Sequence, residues 1–325
     1  MLYNFKDIAR LPGKGYMIFM IAGSFYFLWE LSLMEWLQAF IPHAVISVIS
    51  LLSFFGEEAF LVLMLGFVYW CWDKETGKKI GFAIVMANIW NPMIKNVFLR
   101  RRPYFESDRI KLLRPIEKGD IYDLNLQGYS FPSGHSTNAA ALFGVLAMSF
   151  RKKILTVLAV VIPLLVAFSR MVVGAHFPTD VIAGLALGYL IMFVMTFVYD
   201  RIKNRYLFYG ILLVTAIPGL FYCKSADYFT GLGLLVGLIA STLFEEKKVR
   251  FENTRNPLRM IARLIGGGAI FFGLNTLLKL PFSKEFLECG SFAALMVRCA
   301  RYAVVSFIDM GVYPLLFKLT AKIGK

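Results

Sequence analysis

The stretch ILTVLAVVIPLLVAFSRM at 154–171, the link VVGAHFP at 172–178 and the stretch TDVIAGLALGYLIMFVMTFVY at 179–199 decide the fold. Each flanking run is about twenty residues long and almost wholly apolar, enough for a helix to cross a hydrocarbon core of about 30 Å. Gly174 and Pro178 argue against one helix running through the link. The reading is two membrane helices joined by a turn. Ser169-Arg170 closes the first helix, Asp180 opens the second, and His176 lies between them.

Similar runs recur along the chain. Ten candidate helices are predicted, at 16–36, 44–72, 80–99, 134–150, 154–171, 179–199, 206–223, 227–244, 259–278 and 291–317. Glu30 and Glu35 fall in the first. Gly56-Glu57-Glu58 interrupts the second, so 44–55 is expected along the interface and 58–72 as the span. The N-terminus has no cleavage pattern, and 17–29 reads as part of a retained helix. The chain is 58% hydrophobic over 325 residues, above the roughly 45–50% of soluble domains. The expected fold class is all-α, a polytopic transmembrane helical bundle.

The net charge of +14 would suggest nucleic acid in a soluble protein, but here the basic residues collect in short links between apolar runs. That pattern orients membrane helices, and no nucleic-acid partner is expected. Alternating the helices puts nineteen Lys and Arg on one side and ten on the other, seven of the ten in the loop 100–131. The richer side, which holds both termini, is expected to be cytoplasmic. Cys71, Cys223, Cys289 and Cys299 lack metal-ligand spacing and are expected as isolated buried thiols. A Cys223–Cys289 disulfide is the alternative.

Three stretches on the opposite face carry chemistry: KNVFLRRRP at 95–103, FPSGHS at 131–136 and SRMVVGAHFPTD at 169–180. Lys95 and Arg102 are seven apart, which on one helix puts both cations on one face, with Pro103 as the stop. Two such cations can hold a phosphate, and arginine adds a planar fork. Pro132-Ser133-Gly134-His135 suits a helix start, where free amides attract anions and glycine admits close approach. A carboxylate four residues after His176 can fix its tautomer and raise its nucleophilicity. Each stretch alone has a bland reading: a basic flank, a structural histidine, a snorkelling arginine. Together, in order and on one face, they point to a phosphate site. His43 is the only other histidine.

Read as Lys-x6-Arg-Pro, Pro-Ser-Gly-His and Ser-Arg-x5-His-x3-Asp, the set resembles the type 2 phosphatidic acid phosphatase (PAP2) superfamily, in its membrane-embedded lipid phosphatase branch. The resemblance implies a six-helix core at 44–205. Residues 1–43 are then an N-terminal segment with an extra membrane helix, and 206–325 a C-terminal helical appendage. It also implies roles. His176 is the nucleophile and forms a phosphohistidine, Asp180 orients it, and His135 protonates the leaving group. Lys95, Arg102, Ser133, Gly134 and Arg170 hold the phosphate. No metal or other cofactor is expected. With His176 neutral and His135 protonated, activity should be bell-shaped in pH.

The expected partner is a membrane lipid phosphate, reached from the bilayer at the extracytoplasmic face of what reads as a bacterial plasma membrane. Undecaprenyl diphosphate is favoured. Phosphatidic acid, phosphatidylglycerophosphate and a sphingoid base phosphate remain open, as do a lipid phosphotransferase and a lipid-binding or transport protein on the same fold. The mixed-charge loop 104–130 is expected to cover the site. Arg298 and Arg301, within a span, are expected to face the bundle. They would touch a second phosphate or pair with Asp309.

Overall fold

The computed structural model describes residues 25–114 and 119–317. Expectations for the start of the first helix, for residues 115–118 of the loop 104–130 and for both termini lie outside the described residues. The described residues form helices and no strands. In chain order the main helices are α1 (Leu28–Phe40), α2 (His43–Gly56), α3 (Glu58–Trp72), α4 (Lys74–Phe98), α5 (Gly134–Phe150), α6 (Lys153–Val172), α7 (Pro178–Arg201), α8 (Arg205–Phe221), α9 (Ala226–Val249), α10 (Pro257–Leu277) and α11 (Phe292–Phe307). Among the described residues, α6, α7, α9, α10 and a span built on α4 are long and apolar enough to cross a membrane.

The N-terminal helices differ from the sequence reading. Residues 25–27 are not helical, so the expected helix over 17–29 fails there. α1 and α2 meet at a bend of 110° and read together as a broken span or a re-entrant pair. Pro42 precedes α2 and cannot continue a helix hydrogen-bond ladder from α1. The break expected at Gly56-Glu57-Glu58 is present: Glu57 is extended at φ −85° and ψ 152°.

The bundle has two chemically distinct ends, set by α4, whose 25 residues span about 37 Å. At its start Lys74 pairs with Glu245 at 2.6 Å, Lys78 with Glu246 at 2.7 Å, and Lys79 with Asp200 at 2.6 Å. These contacts gather three of the basic links at one end. The other end of α4 carries Lys95 and leads into Arg100 and Arg102. Around α4 pack α5 and α9, and α9 packs closely on α11. Small residues permit this: a side chain at Gly231 would strike the backbone of Asn88 on α4, and one at Gly237 that of Ala303 on α11.

Outward-facing positions on α6, α7 and α10 are large and apolar, including Val157, Leu164, Ile182, Leu190, Ile261 and Ile265. A membrane span presents such a surface to lipid. All four cysteines are free. Cys71, Cys223 and Cys299 are buried as expected, but Cys289 is exposed, because it follows a short helix outside the packed bundle.

Candidate active site

Each site residue stands at a helix end, and the local sequence explains why. α4 stops at Phe98 because Leu99 adopts a left-handed conformation at φ 50°. The chain then runs extended, and Pro103 opens a one-turn helix with Arg102 as its cap. Lys95 and Arg102 therefore do not share one helix face. The sequence reading is corrected here: Pro103 starts a turn and does not stop α4. Arg102 reaches the site from the extended segment, buried and held by carbonyl oxygens. Nη2 donates to Gln127 O at 2.6 Å, Nε to Gly128 O at 3.0 Å, and Nη1 to Ala175 O at 2.9 Å.

Ser133 caps α5, its Oγ accepting from Ser136 N at 3.5 Å and Ser136 Oγ at 3.0 Å. His135 falls in the first helical turn, as expected. Asn91 of α4 ties this start down by donating to Pro132 O at 3.3 Å and Thr137 Oγ1 at 3.1 Å. α2 approaches so closely that a Cβ on Gly56 would lie 2.6 Å from His135 O.

α6 ends just beyond Arg170, and a turn through Gly174 at φ 78° leads to α7. A positive φ at that point favours glycine. The His176 amide returns to Arg170 O at 3.3 Å, and Ser133 N donates to Asp180 O at 2.9 Å. The second bond locks the starts of α5 and α7 together.

The three stretches thus converge. His176 is 1% exposed. Its Nε2 lies 3.4 Å from Arg102 Nη1, and its Nδ1 lies 3.6 Å from Asp180 Oδ2, beyond hydrogen-bond reach. Burial, with the charges of Arg102, Lys95 and Arg170, holds the His176 imidazole well below its ordinary range. It is therefore neutral near pH 7. His135 lies in electrostatic range of Arg170, His176, Lys95 and Arg102. Arg170 is buried, with Nη1 donating to Ser53 Oγ at 3.3 Å, while Nε and Nη2 have no partner among the described residues. Buried donors rarely stay unpartnered.

Several residues here escaped the sequence reading. Arg100, taken as part of a basic flank, is buried between Asp180 and Glu30. Glu30 registered only as an anomaly in an apolar run, although an acid in such a run is itself a signal. Ser130 donates to Asp180 Oδ2 at 2.8 Å. The described part of loop 104–130 is tied to the N-terminal helices: Ser107 donates to Glu35 at 2.6 Å, Lys111 pairs with Gln38, and Arg114 bonds Glu57 at 2.6 Å.

Arg298 and Arg301 are bonded to other helices of the bundle. Arg298 Nε donates to Thr230 Oγ1 at 2.7 Å, and Arg301 Nη2 to Asn275 Oδ1 at 2.7 Å. Among the described residues neither forms an ion pair with Asp309. Arg298 does line a cavity of about 150 Å³ with Asp227, Asn88, Asn138 and Asp309. Asp227 in turn lies in electrostatic range of Lys95. No group of three His, Cys, Asp or Glu side chains among the described residues could hold a metal ion.

Residues 76–203 match the PAP2 superfamily, and residues 229–323 match the PAP2 superfamily phosphatase, transmembrane extension. The chain is 42% identical over 85 residues to phosphatidylglycerophosphatase B of Bacillus subtilis (23% of this chain, 42% of that one). It is 31% identical over 176 residues to lipid A 1-phosphatase of Rhizobium etli (51% and 70%). The chain spans about half the length of the first curated relatives it matches, 42% and 48%. It is also similar to the crystal structure of a transmembrane PAP2 type phosphatidylglycerolphosphate phosphatase from Bacillus subtilis. That match has a TM-score of 0.43 at 26% identity, covering 54% of this chain and 86% of the other.

Proposed function

This chain belongs to the PAP2 superfamily, and from that premise we propose that it is an integral-membrane lipid phosphate phosphatase working through a phosphohistidine. The carrying observation is the pair of buried, unpartnered donors on Arg170, Nε and Nη2, in electrostatic range of Lys95, Arg102 and His135. Such a cluster of cations is offset most simply by an anion, and phosphate offers acceptors enough for all of them.

The roles follow from position. His176 Nε2, on the side of Arg102, attacks phosphorus. The bond from phosphorus to the leaving oxygen breaks, and His135 gives that oxygen a proton. Water then attacks the phosphohistidine, giving its proton to His135, and phosphate leaves. Asp180, on the Nδ1 side, supports the ring as it gains charge. Lys95, Arg102 and Arg170, with Ser133 and the Gly134 amide, hold the phosphoryl oxygens. Phosphoryl transfer needs this kind of positioning and charge neutralisation above all. The excess of basic residues at the Lys74 end favours an extracytoplasmic site. A lipid headgroup entering there, with its tail in the bilayer, is the substrate class. Undecaprenyl diphosphate is the first candidate, and phosphatidic acid, phosphatidylglycerophosphate and a sphingoid base phosphate are the others.

Purified protein in detergent, with a chelator present, would be given these four lipids and glucose 6-phosphate beside a His176→Ala control. Release that requires His176 and ranks a lipid first is expected. Release unchanged in His176→Ala would remove the nucleophile assignment. No release from any lipid would overturn the phosphatase reading.

A further inference from the structure

Glu30, Arg100 and Asp180 form a buried chain of charge, each 0% exposed. Arg100 Nη2 donates to Glu30 Oε2 at 2.7 Å, and Nη1 donates to Asp180 Oδ1 at 2.6 Å. The other oxygen of Glu30, Oε1, accepts from Thr179 N at 3.0 Å and Thr179 Oγ1 at 2.6 Å. Thr179 N is among the first amides of α7, which have no partner inside their own helix. A glutamate on α1 thereby caps the helix that carries Asp180. The Arg100 guanidinium also lies over the Phe177 ring, 4.1 Å from its centroid. The turn from His176 to Asp180 is gripped from outside.

Burial makes the charge balance consequential. Asp180 against Arg100 alone is a neutral pair, with no net charge left to support a positive His176. Glu30 brings the cluster to −1. At separations of a few ångströms in a protein interior, one charge moves a neighbouring titration by about a unit or more. The other charges facing this turn are Lys95 on α4, Arg102 beyond it and Arg170 on α6, with the titratable His135 on α5. All of these are cations or can become so. On the negative side stand Asp180 and Glu30 beside the turn, with Asp227 in electrostatic range of Lys95 and Arg102 and Glu57 in range of Arg170.

We infer that Glu30 and Arg100 are positioning residues for the His176–Asp180 pair. Arg100 anchors Asp180, and Glu30 offsets Arg100 so that Asp180 keeps a net negative charge toward His176. The inference rests on the proposed role of His176 as nucleophile. It gives a supporting role in the site to α1, which lies outside the matched stretch 76–203.

The test uses the full chain in detergent, with wild type and His176→Ala assayed first. Three variants follow: Glu30→Gln, Arg100→Lys and the double variant Glu30→Gln/Arg100→Gln. In Glu30→Gln, kcat should fall about tenfold with KM little changed, and the acidic limb of kcat/KM should move down by about one pH unit. Arg100→Lys keeps the charge, so its limb should stay in place while kcat falls. The double variant removes one charge of each sign, so the limb should return to its wild-type position with kcat still low. It also leaves no unpaired buried charge, and so carries the comparison if Glu30→Gln does not fold.

Wild-type kcat in either folded Gln variant, or an unmoved limb in folded Glu30→Gln, would overturn the inference. Inactive wild type would instead sink the phosphatase reading. The inference would then be judged by the nitrogen-15 resonance of His176, assigned by its loss in His176→Ala. Identical titration in wild type and Glu30→Gln would overturn it, and a lower midpoint in Glu30→Gln would support it.

Discussion

Arg102 Nη1 stands 3.4 Å from His176 Nε2 and 2.9 Å from the carbonyl oxygen of Ala175. The cation proposed to hold the phosphate is braced on the same turn that carries the proposed nucleophile. Its Nε and one hydrogen of its Nη2 are bonded to Gly128 and Gln127, so its position depends on a fork that lysine lacks. Arg102→Lys should lower kcat/KM roughly a hundredfold, about 2.7 kcal/mol of transition-state stabilisation. Steady-state kinetics on the preferred lipid would decide it, and near wild-type values would show that charge alone suffices.

Arg170 leads to a binding prediction that needs no turnover. With Nε and Nη2 unpartnered, inorganic phosphate should bind the folded protein and raise its Tm. At a hundred times Kd the stabilisation is about 2.7 kcal/mol. Arg170→Ala should weaken or abolish the rise. An equal rise in both proteins would place the bound phosphate elsewhere.

His176 ties stability to pH. Its folded value lies well below the ordinary imidazole range, so between that value and about pH 6.5 the unfolded chain binds more protons than the folded one. Unfolding free energy then increases with pH across the window. The contribution is lost as pH falls below about 6.5, at up to about 1.4 kcal/mol per unit. Thermal unfolding at about pH 7.5 and about pH 5.5 should show a larger acid loss in wild type than in His176→Asn. Equal losses would contradict the assignment.

Gly56 lies in contact with the backbone of His135. A Cβ there would sit 2.6 Å from His135 O, and backbone cannot yield as a flexible side chain does. Gly56→Ala should cost about 1–3 kcal/mol and lower kcat by displacing His135. Wild-type kcat in the folded variant would mean that α2 yields and His135 does not.

Arg298 and Arg301 should separate. Arg301 is bound to Asn275 on α10, and Arg301→Ala should lower stability by about 1–3 kcal/mol without changing the preference among lipids. Arg298 lines the cavity that includes Asp227. Arg298→Ala should change the relative rates on mono- and diphosphate lipids, while release from a small water-soluble phosphomonoester holds. Unchanged lipid ranking would leave Arg298 as packing alone.

Much was legible from residues alone, because apolar runs of membrane length and short motifs report on chemistry local to the chain. The helices over 134–150, 154–171 and 179–199 emerged within about two residues of their observed ends. The start of α5 at Ser133 and the turn around His176 followed from glycine, proline and capping rules. Position across the fold was not legible. Arg100, Arg101 and Arg102 are one basic run in the sequence. The left-handed Leu99 and the extended segment after it bury Arg100 against Glu30 and Asp180, and Arg102 against the His176 turn. Glu30 looked like a flaw in a membrane helix until a partner seventy residues away accounted for its burial. Composition and spacing determined that the chain forms a helical membrane bundle and that the three motif stretches share one end of it. Which charges meet was decided only by tertiary structure, because a buried charge is tolerated only where packing delivers its counter-charge.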